Sequence, residues 1–380
     1  MLLVVASWRL WFDLPNFPTV PVIRWYPRLA GPWIALGPAT LVVGLGFSLY
    51  RRTARPALAA TALLFVWLIL GDQLRFQPWV YQFVVMAIVL ALVPGRRTRP
   101  YCRAYLIALY AFSGLSKLDA SFVREMGPLF IRETSRMTGF EIGGGSWVLI
   151  LPGWEILVAV LLMFRSTRLA GFAGAVAMHA ALICILGPTG LGHGPTVLIW
   201  NLALIAEGAY LFVRQGHEVG SSSPRTVREA VVRLAMGVVL MAPIVERWAL
   251  LDSWPAHALY ASHCEWSSIR IGAGDGFRRL PETLRLACEV PPGESTWRLD
   301  LTSWCRSARG VPAYPQSRYA NGVAEWVARR IGPEGDVSVE HHLRADPLTA
   351  RRVTIEARGL AAIHQLGDSF RINAHPQPDP

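Results

Sequence analysis

The sequence predicts an all-α polytopic membrane helical bundle of about eight transmembrane helices, followed by a small C-terminal α+β extramembrane domain. Three observations lead there. The 380 residues are 53% hydrophobic and only 17% charged, a balance that soluble globular chains rarely reach. Apolar runs of roughly 15 to 20 residues recur between about Trp33 and Leu251, close to the ~20 that a helix needs to cross the hydrocarbon. Beyond Leu251 the apolar residues fall in short alternating runs, the period of half-buried strands.

Residues 1–29 form the first element. "MLLVVASWRLWFDLPNFP" has an apolar stretch but neither a basic leader nor a small-residue cleavage site, so it does not read as a signal peptide. We expect an interfacial segment with Trp8, Trp11 and Phe12 toward lipid. The bundle, residues 30–252, is predicted to hold helices over 33–50, 56–71, 79–94, 101–118, 147–164, 169–187, 195–213 and 230–251.

Charge orients these helices. Arg51, Arg52 and Arg55 lie in the first connection, Arg96, Arg97, Arg99 and Arg103 around the third, Arg165 and Arg168 in the fifth, and Arg214, Arg225, Arg228 and Arg233 around the seventh. The even connections are poorer in arginine, or offset it with acids as the fourth does. By the positive-inside rule the odd connections face the cytoplasm and both termini lie outside, in a multi-pass cell-membrane protein. The net charge of +11 therefore belongs to orientation, and no compact basic, aromatic-interleaved patch suits a nucleic-acid partner.

Within the fourth connection, Phe122, Met126, Leu129, Phe130 and Ile131 can share one helical face before the Gly/Ser breaker at 143–146, which predicts a helix lying on the outer surface. "GSSSPRT" at 220–226 reads as a flexible cytoplasmic link. In the extracytoplasmic domain, residues 253–380, "SSIRIG", "TLRLACEV", "STWRLDLTSW", "DVSVEHHL" and "RRVTIEAR" read as strands and "SRYANGVAEWVARRIG" as a helix. None of the five cysteines forms a C-x-x-C pair. An outward domain allows one disulfide among Cys264, Cys288 and Cys305; burial as small hydrophobes is the alternative.

The polar residues near the membrane carry the functional expectation. "GDQLRFQPW" at 71–79 brings Asp72, Gln73, Arg75 and Gln77 out at the outer boundary beside Trp79 and Tyr81. Lys117 ends the fourth helix at the same level, Glu155 and His179 lie in the outer halves of the fifth and sixth, and His193, Asn201 and Glu207 border or enter the seventh. Charges at this depth usually pair, face the bundle interior or line a wet cavity. We expect an outward-facing pocket capped by the 71–79 stretch, with Asp72 or Glu155 the counter-charge for Arg75 or Lys117, and with Glu207 paired to His179 or held as a neutral acid. No metal site is expected: His341 and His342 are adjacent and diverge on a strand, and no H-x-x-x-H or C-x-x-C spacing occurs. "GAGDG" at 272–276 lacks the lysine of a phosphate loop and reads as a turn.

The order "DQLRFQPWVYQ", "YAFSGLSKLD" and "MHAALICILGPTGLGHGPTVLIWN" resembles bacterial membrane proteins of the DoxX-like and MauE-like redox-associated families. It is also similar to the HTTM domain shared with vitamin K-dependent gamma-carboxylases, and the resemblance covers about residues 60–330. The first resemblance implies a quinone or thiol redox step at the membrane, with Lys117 the transferable position, although the chain has no paired cysteines for a dithiol relay. The second implies a base that deprotonates a hydroquinone, for which Lys117 or His179 is available.

Together these readings predict a lipid-embedded protein whose pocket binds a quinone. Lys117, Glu155 and His179 would then be the catalytic groups, with Arg75 or Lys117 donating to the quinone oxygen and Glu155 exchanging its proton through His179. Asp72, Arg75, Gln77, His193, Asn201 and Glu207 would line the ligand. The alternative is a non-enzymatic scaffold whose external domain docks an extracytoplasmic protein partner. A transporter is the least supported reading, since no internal repeat is visible.

Overall fold

The computed structural model describes residues 1–27, 33–93, 95–141, 143, 145–213, 226–332 and 336–378. Arg214, Arg225 and the link at 220–225 lie outside the described residues. A short helix α1 (Leu2–Ala6) opens the chain, and helices then occupy every predicted span: α2 (Trp33–Phe47), α3 (Ala54–Gly71), α4 (Pro78–Leu92), α5 (Arg99–Leu115), α8 (Ile150–Met163), α9 (Arg168–Leu186), α10 (Pro195–Gly208) and α11 (Val227–Met241). Among the described residues, three are long and apolar enough to cross a membrane: α3, α9, and α10 with the π-helical turn that extends it to Val213.

Proline sets several boundaries. It opens α4 and α10 at their first turns, where its missing N–H is not needed. Helix α4 stops at Leu92 because Val93, the residue before Pro94, is extended, as a pre-proline residue prefers. The last predicted span, drawn to residue 251, is shorter: α11 stops at Met241, and a 3-10 turn containing Pro243 follows. The fourth connection holds two helices instead of one, α6 (Ala120–Arg124) and α7 (Met126–Thr138), broken at Glu125.

The connections gather at two ends. At one, Arg97 pairs with Glu229 at 2.7 Å, Arg55 donates to the Ala91 carbonyl, and Arg99 and Arg103 donate to the carbonyls of Tyr210 and Leu211. At the other, the N-terminal segment and the C-terminal domain close over the 71–78, 116–149 and 187–194 connections. Arg75 pairs with Asp13 at 2.5 Å, Ala120 N–H donates to the Pro347 carbonyl, and Arg136 bonds the Thr189 carbonyl.

The C-terminal domain is built on an antiparallel sheet of five strands, β1 (Trp266–Gly272), β2 (Cys288–Glu289), β3 (Thr296–Leu299), β4 (Val337–His342) and β5 (Thr354–Arg358), in the order β2-β3-β1-β4-β5. Ile269 opposes Val339 and Ile271 opposes Val337. These side chains are buried; their neighbours Ser268, Arg270, Ser338 and Glu340 face the other side of the pleat. The helix predicted at "SRYANGVAEWVARRIG" is α15 (Ser317–Ile331) and covers the buried face; short helices α12 (Asp275–Arg278) and α13 (Glu282–Arg285), then α14 (Leu301–Arg309) and α16 (Leu360–Asp368), complete the domain.

Two predicted strands yield to helix. "TLRLACEV" becomes α13 and a two-residue strand, and "STWRLDLTSW" is strand only to Leu299. There Asp300 accepts from Ser303 N–H at 2.9 Å and caps α14, satisfying a helix-end donor that a strand would not present.

The two halves share one apolar core. Phe65, Leu74, Trp79 and Val80 from the bundle join Trp304, Tyr314, Val323 and Trp326 from the sheet domain, with Leu10, Trp11, Phe17 and Val20 of the N-terminal segment between them. Trp11 is therefore not turned to lipid: it is 1% exposed, edge-on to Phe65 and Trp79, while Trp8 does remain exposed. Cys264, Cys288 and Cys305 are free thiols, so the disulfide is not formed; Cys305 is buried beside the Tyr319 hydroxyl, and Cys288 reaches the Leu284 carbonyl.

Candidate functional site

Helix α5 is the spine of the site. Tyr110, Ser113 and Lys117 recur at three- and four-residue intervals, so they share one side of it. Between them Gly114 meets α8: a Cβ there would stand 2.8 Å from the Pro152 carbonyl oxygen and 2.7 Å from Ile156. Only glycine permits this approach, which places Lys117 opposite Glu155. The lysine Nζ donates to both carboxylate oxygens, at 3.0 and 2.8 Å, and to the carbonyl and hydroxyl oxygens of Ser113 at 2.9 and 2.8 Å. The pair is largely removed from solvent, with side-chain exposures of 5% and 14%.

Toward the middle of α5, Tyr110 begins a second chain. Asn201 donates its amide N–H to the Val197 carbonyl at 2.8 Å, which turns its oxygen toward His179 Nδ1 at 2.7 Å. In the neutral ring Nδ1 must then carry the proton, and Nε2 accepts from the Tyr110 hydroxyl at 2.9 Å. His179 does not touch Glu155; its two ring nitrogens are committed to Tyr110 and Asn201. The expected relay from Glu155 through His179 is thus replaced by two separate networks, with Tyr110 in electrostatic reach of Glu155 and Glu207.

Glu207 also departs from its expected partner. It accepts from Gln82 Nε2 at 2.5 Å, and the Gln82 oxygen accepts from Trp200 Nε1 at 2.7 Å. Gln82 was readable in principle, as the only amide within the apolar run of α4, but nothing local to it names Glu207.

The 71–79 stretch is largely buried. Asp72 is fully buried, accepts from Leu74 N–H at 3.1 Å and pairs with Arg309 of α14 at 3.1 Å, both side chains being 0% exposed. Burial pushes the Asp72 carboxyl above its ordinary value, against the pull of Arg309 and Arg75. Arg75 donates to the carbonyls of Leu10 and Leu68 and pairs with Asp13, while Gln77 donates to the Leu74 carbonyl. Gln73 donates to Pro21 and Asn373 carbonyls and accepts from Arg318. Asp72, Gln73 and Arg75 thus join the bundle to the N-terminal segment and the C-terminal domain, while Gln77 closes only a local turn onto Leu74. His193, between α9 and α10, sits against Tyr260 and Arg306, whose guanidinium is 3.5 Å from its Nε2; burial first, then Arg306, push it down to about 4.

Just beyond Lys117, Asp119 anchors a further network. His263 lies between Asp119 (2.8 Å) and Glu246 (3.1 Å), while Arg247 approaches Asp119 and Arg344 pairs with Glu246. Burial alone would lower the His263 pKa, but hydrogen bonds to Asp119, Cys264 and Glu246 outweigh it and push the ring up to about 11. Burial is the largest single influence on Asp119 and Glu246 and pushes both up, but His263 together with the Phe122 N–H and Ser121 at Asp119, and His263 together with Arg344 at Glu246, hold them below their ordinary values. Two open clefts of about 260 and 490 Å³ lie on the solvent-facing side of the sheet, around Arg270, Glu340 and His342, and neither is lined by a residue of the bundle.

Compared with known proteins, the chain matches no family model, no curated protein and no solved structure.

Proposed function

We propose that this chain is a multi-pass membrane protein that binds a quinone-type, lipid-soluble ligand and exchanges a proton with it through Lys117 and Glu155. The observation that carries this reading is the buried ion pair itself, with Lys117 held by four acceptors on α5 and α8. A charge pair at membrane depth is costly and marks a working site more often than a structural one. Proton transfer inside the pair gives a neutral amine and a neutral acid, the forms that a low-dielectric setting favours. A neutral Lys117 then accepts a proton from a hydroquinone hydroxyl, the step the HTTM-like resemblance asks for, and Glu155 holds the proton displaced from the lysine. Tyr110, His179 and Asn201 hold the neighbouring helices in register.

In this reading all eight helices cross the cell membrane, and the end closed by the N-terminal segment and the sheet domain faces outward. Arginine enrichment at the opposite end supports that orientation. The test is organic extraction and mass spectrometry of the protein purified in mild detergent, with an oxidised-minus-reduced ultraviolet difference spectrum. We expect about one quinone per chain in the wild type and none in Lys117→Ala; a quinone-free wild type, or a mutant that retains it, overturns the reading.

One observation favours a second reading. Asp72 and Gln73 tie the bundle to the sheet domain through Arg309 and Arg318, and Arg75 ties it to the N-terminal segment through Asp13, which suits a scaffold that presents this domain to a protein partner. A scaffold would lose stability in Lys117→Ala and Glu155→Gln without losing any bound ligand.

A further inference from the structure

Far along the chain, four side chains from three elements converge at one corner of the sheet domain. Glu325 of α15 has no exposed side-chain surface, yet both its oxygens are aimed at imidazoles: Oε1 is 2.9 Å from His364 Nδ1 and Oε2 is 2.8 Å from His375 Nδ1. On the far side of both rings stands Asp368, 3.1 Å from His375 Nε2 and 3.9 Å from His364 Nε2. One ligand atom each from Glu325, His364 and His375 lies within 4.8 Å of the other two.

We propose that Glu325, His364 and His375 form a site for a divalent transition metal, zinc being the natural occupant, with Asp368 as the carboxylate that orients His375 from its far nitrogen. Two imidazoles and one carboxylate are a donor set that suits zinc or ferrous iron. Ligating histidines characteristically donate their second N–H to a carboxylate, which is the position Asp368 holds. His375 faces a carboxylate through each ring nitrogen; with a metal on Nδ1, that nitrogen and Glu325 would both act as ligands while Nε2–H donates to Asp368.

Access is open from the solvent side. The His364 and Arg329 side chains are each 41% exposed, so Arg329, which now pairs with Glu325, can swing into water as the metal enters. Arg24, paired with Asp368 at 3.1 Å, leaves the ligand atoms free. The second convergent group, Glu246, His263 and Cys264, is less suited, because the poorly exposed Arg344 and Asp119 already occupy its carboxylate and histidine. Bound at the first site, the metal would clip the tail carrying His375 onto α15. The same tail is tied to the N-terminal segment on either side of His375, where the Asn373 side chain donates to the Pro21 carbonyl and Gln377 N–H to that of Thr19.

The full-length protein in detergent, stripped with a chelator and dialysed, is titrated with Zn²⁺ and with Co²⁺. We expect one Zn²⁺ per chain by elemental analysis, visible Co²⁺ absorption, and a rise in the unfolding temperature on loading. His364→Ala should abolish the Co²⁺ bands and Asp368→Asn should weaken binding by about 10- to 100-fold. His342→Ala, on the open face of the sheet, should change nothing. A wild type that takes up neither metal, or uptake that survives His364→Ala unchanged, overturns the site.

Discussion

Lys117 shows how much a single residue reveals. Its charge in an apolar setting is legible at once, and so is that of Glu155; the sequence offers Glu155 as one of two counter-charges, and the packing of α8 on α5 brings it to Lys117 across a separation of 38 positions. Removing one member of a largely buried pair leaves the other uncompensated, at a cost of about 3–5 kcal/mol, whereas replacing both with apolar residues of similar size is often neutral or stabilising. We therefore expect Lys117→Met to lower the unfolding midpoint sharply and Lys117→Met with Glu155→Leu to restore most of it, by tryptophan fluorescence in detergent. A double mutant no more stable than the single would show that the pair is not the reason for the loss. Arg309 makes the contrast. Nothing in its neighbourhood of the sequence signals that it is fully buried with Asp72, 237 residues away, because spacing reports only local neighbours. Arg309→Met should cost a similar 3–5 kcal/mol, read as a lower unfolding midpoint at neutral pH.

Elements were legible to the extent that their period is strong. Long apolar runs placed every helix of the bundle, since burial and helical hydrogen bonding pull the same way there. Where signals compete, pattern alone misleads: the alternation of "RLDLTSW" suggests a strand, and the cap at Asp300 wins. Gly114 was equally silent, because closeness to α8 is a property of two elements. Substituting Ala at Gly114 forces α5 off the Pro152 carbonyl, so overpacking should cost about 1–3 kcal/mol. A mutant of wild-type stability would show that this contact yields easily.

The connection after α5 is sensitive to pH. His263, raised to about 11 by Asp119, Cys264 and Glu246, contributes stability that is complete below about 6.5, its unfolded value, and is lost as pH rises toward 11. Asp119 and Glu246 are lowered, so their contribution is complete above their ordinary carboxylate values and lost as pH falls. Unfolding midpoints should therefore decline from pH 6.5 upward in the wild type, and much less steeply in His263→Gln. Parallel curves for the two proteins would remove His263 from this role.

At the scale of the whole molecule, the bundle and the sheet domain were each recognisable, but their union was not. The composition changes near residue 252 as it would at a linker, yet the core runs across the boundary through Trp79, Trp11, Trp304 and Trp326. A chain cut after residue 252 should expose this core and strip Asp72 and Gln73 of Arg309, Arg318 and the Asn373 carbonyl. We expect it to aggregate on size-exclusion chromatography, and a monodisperse, thermally stable product would show that the bundle stands alone.

The tail's return to the bundle also has a meaning for biosynthesis. Gln73, in the first third of the chain, takes as one of its partners the carbonyl of Asn373, and Thr19 bonds Gln377. While the chain is being made, Asp72 and Gln73 wait at the end of α3 for Arg309 of α14, Arg318 of α15 and the Asn373 carbonyl, 237 to 300 positions further on, whereas Arg75 meets Asp13 and the Leu10 carbonyl early. Closure over the end of α3 is thus a late event of assembly, made by segments that lie far apart in one polypeptide.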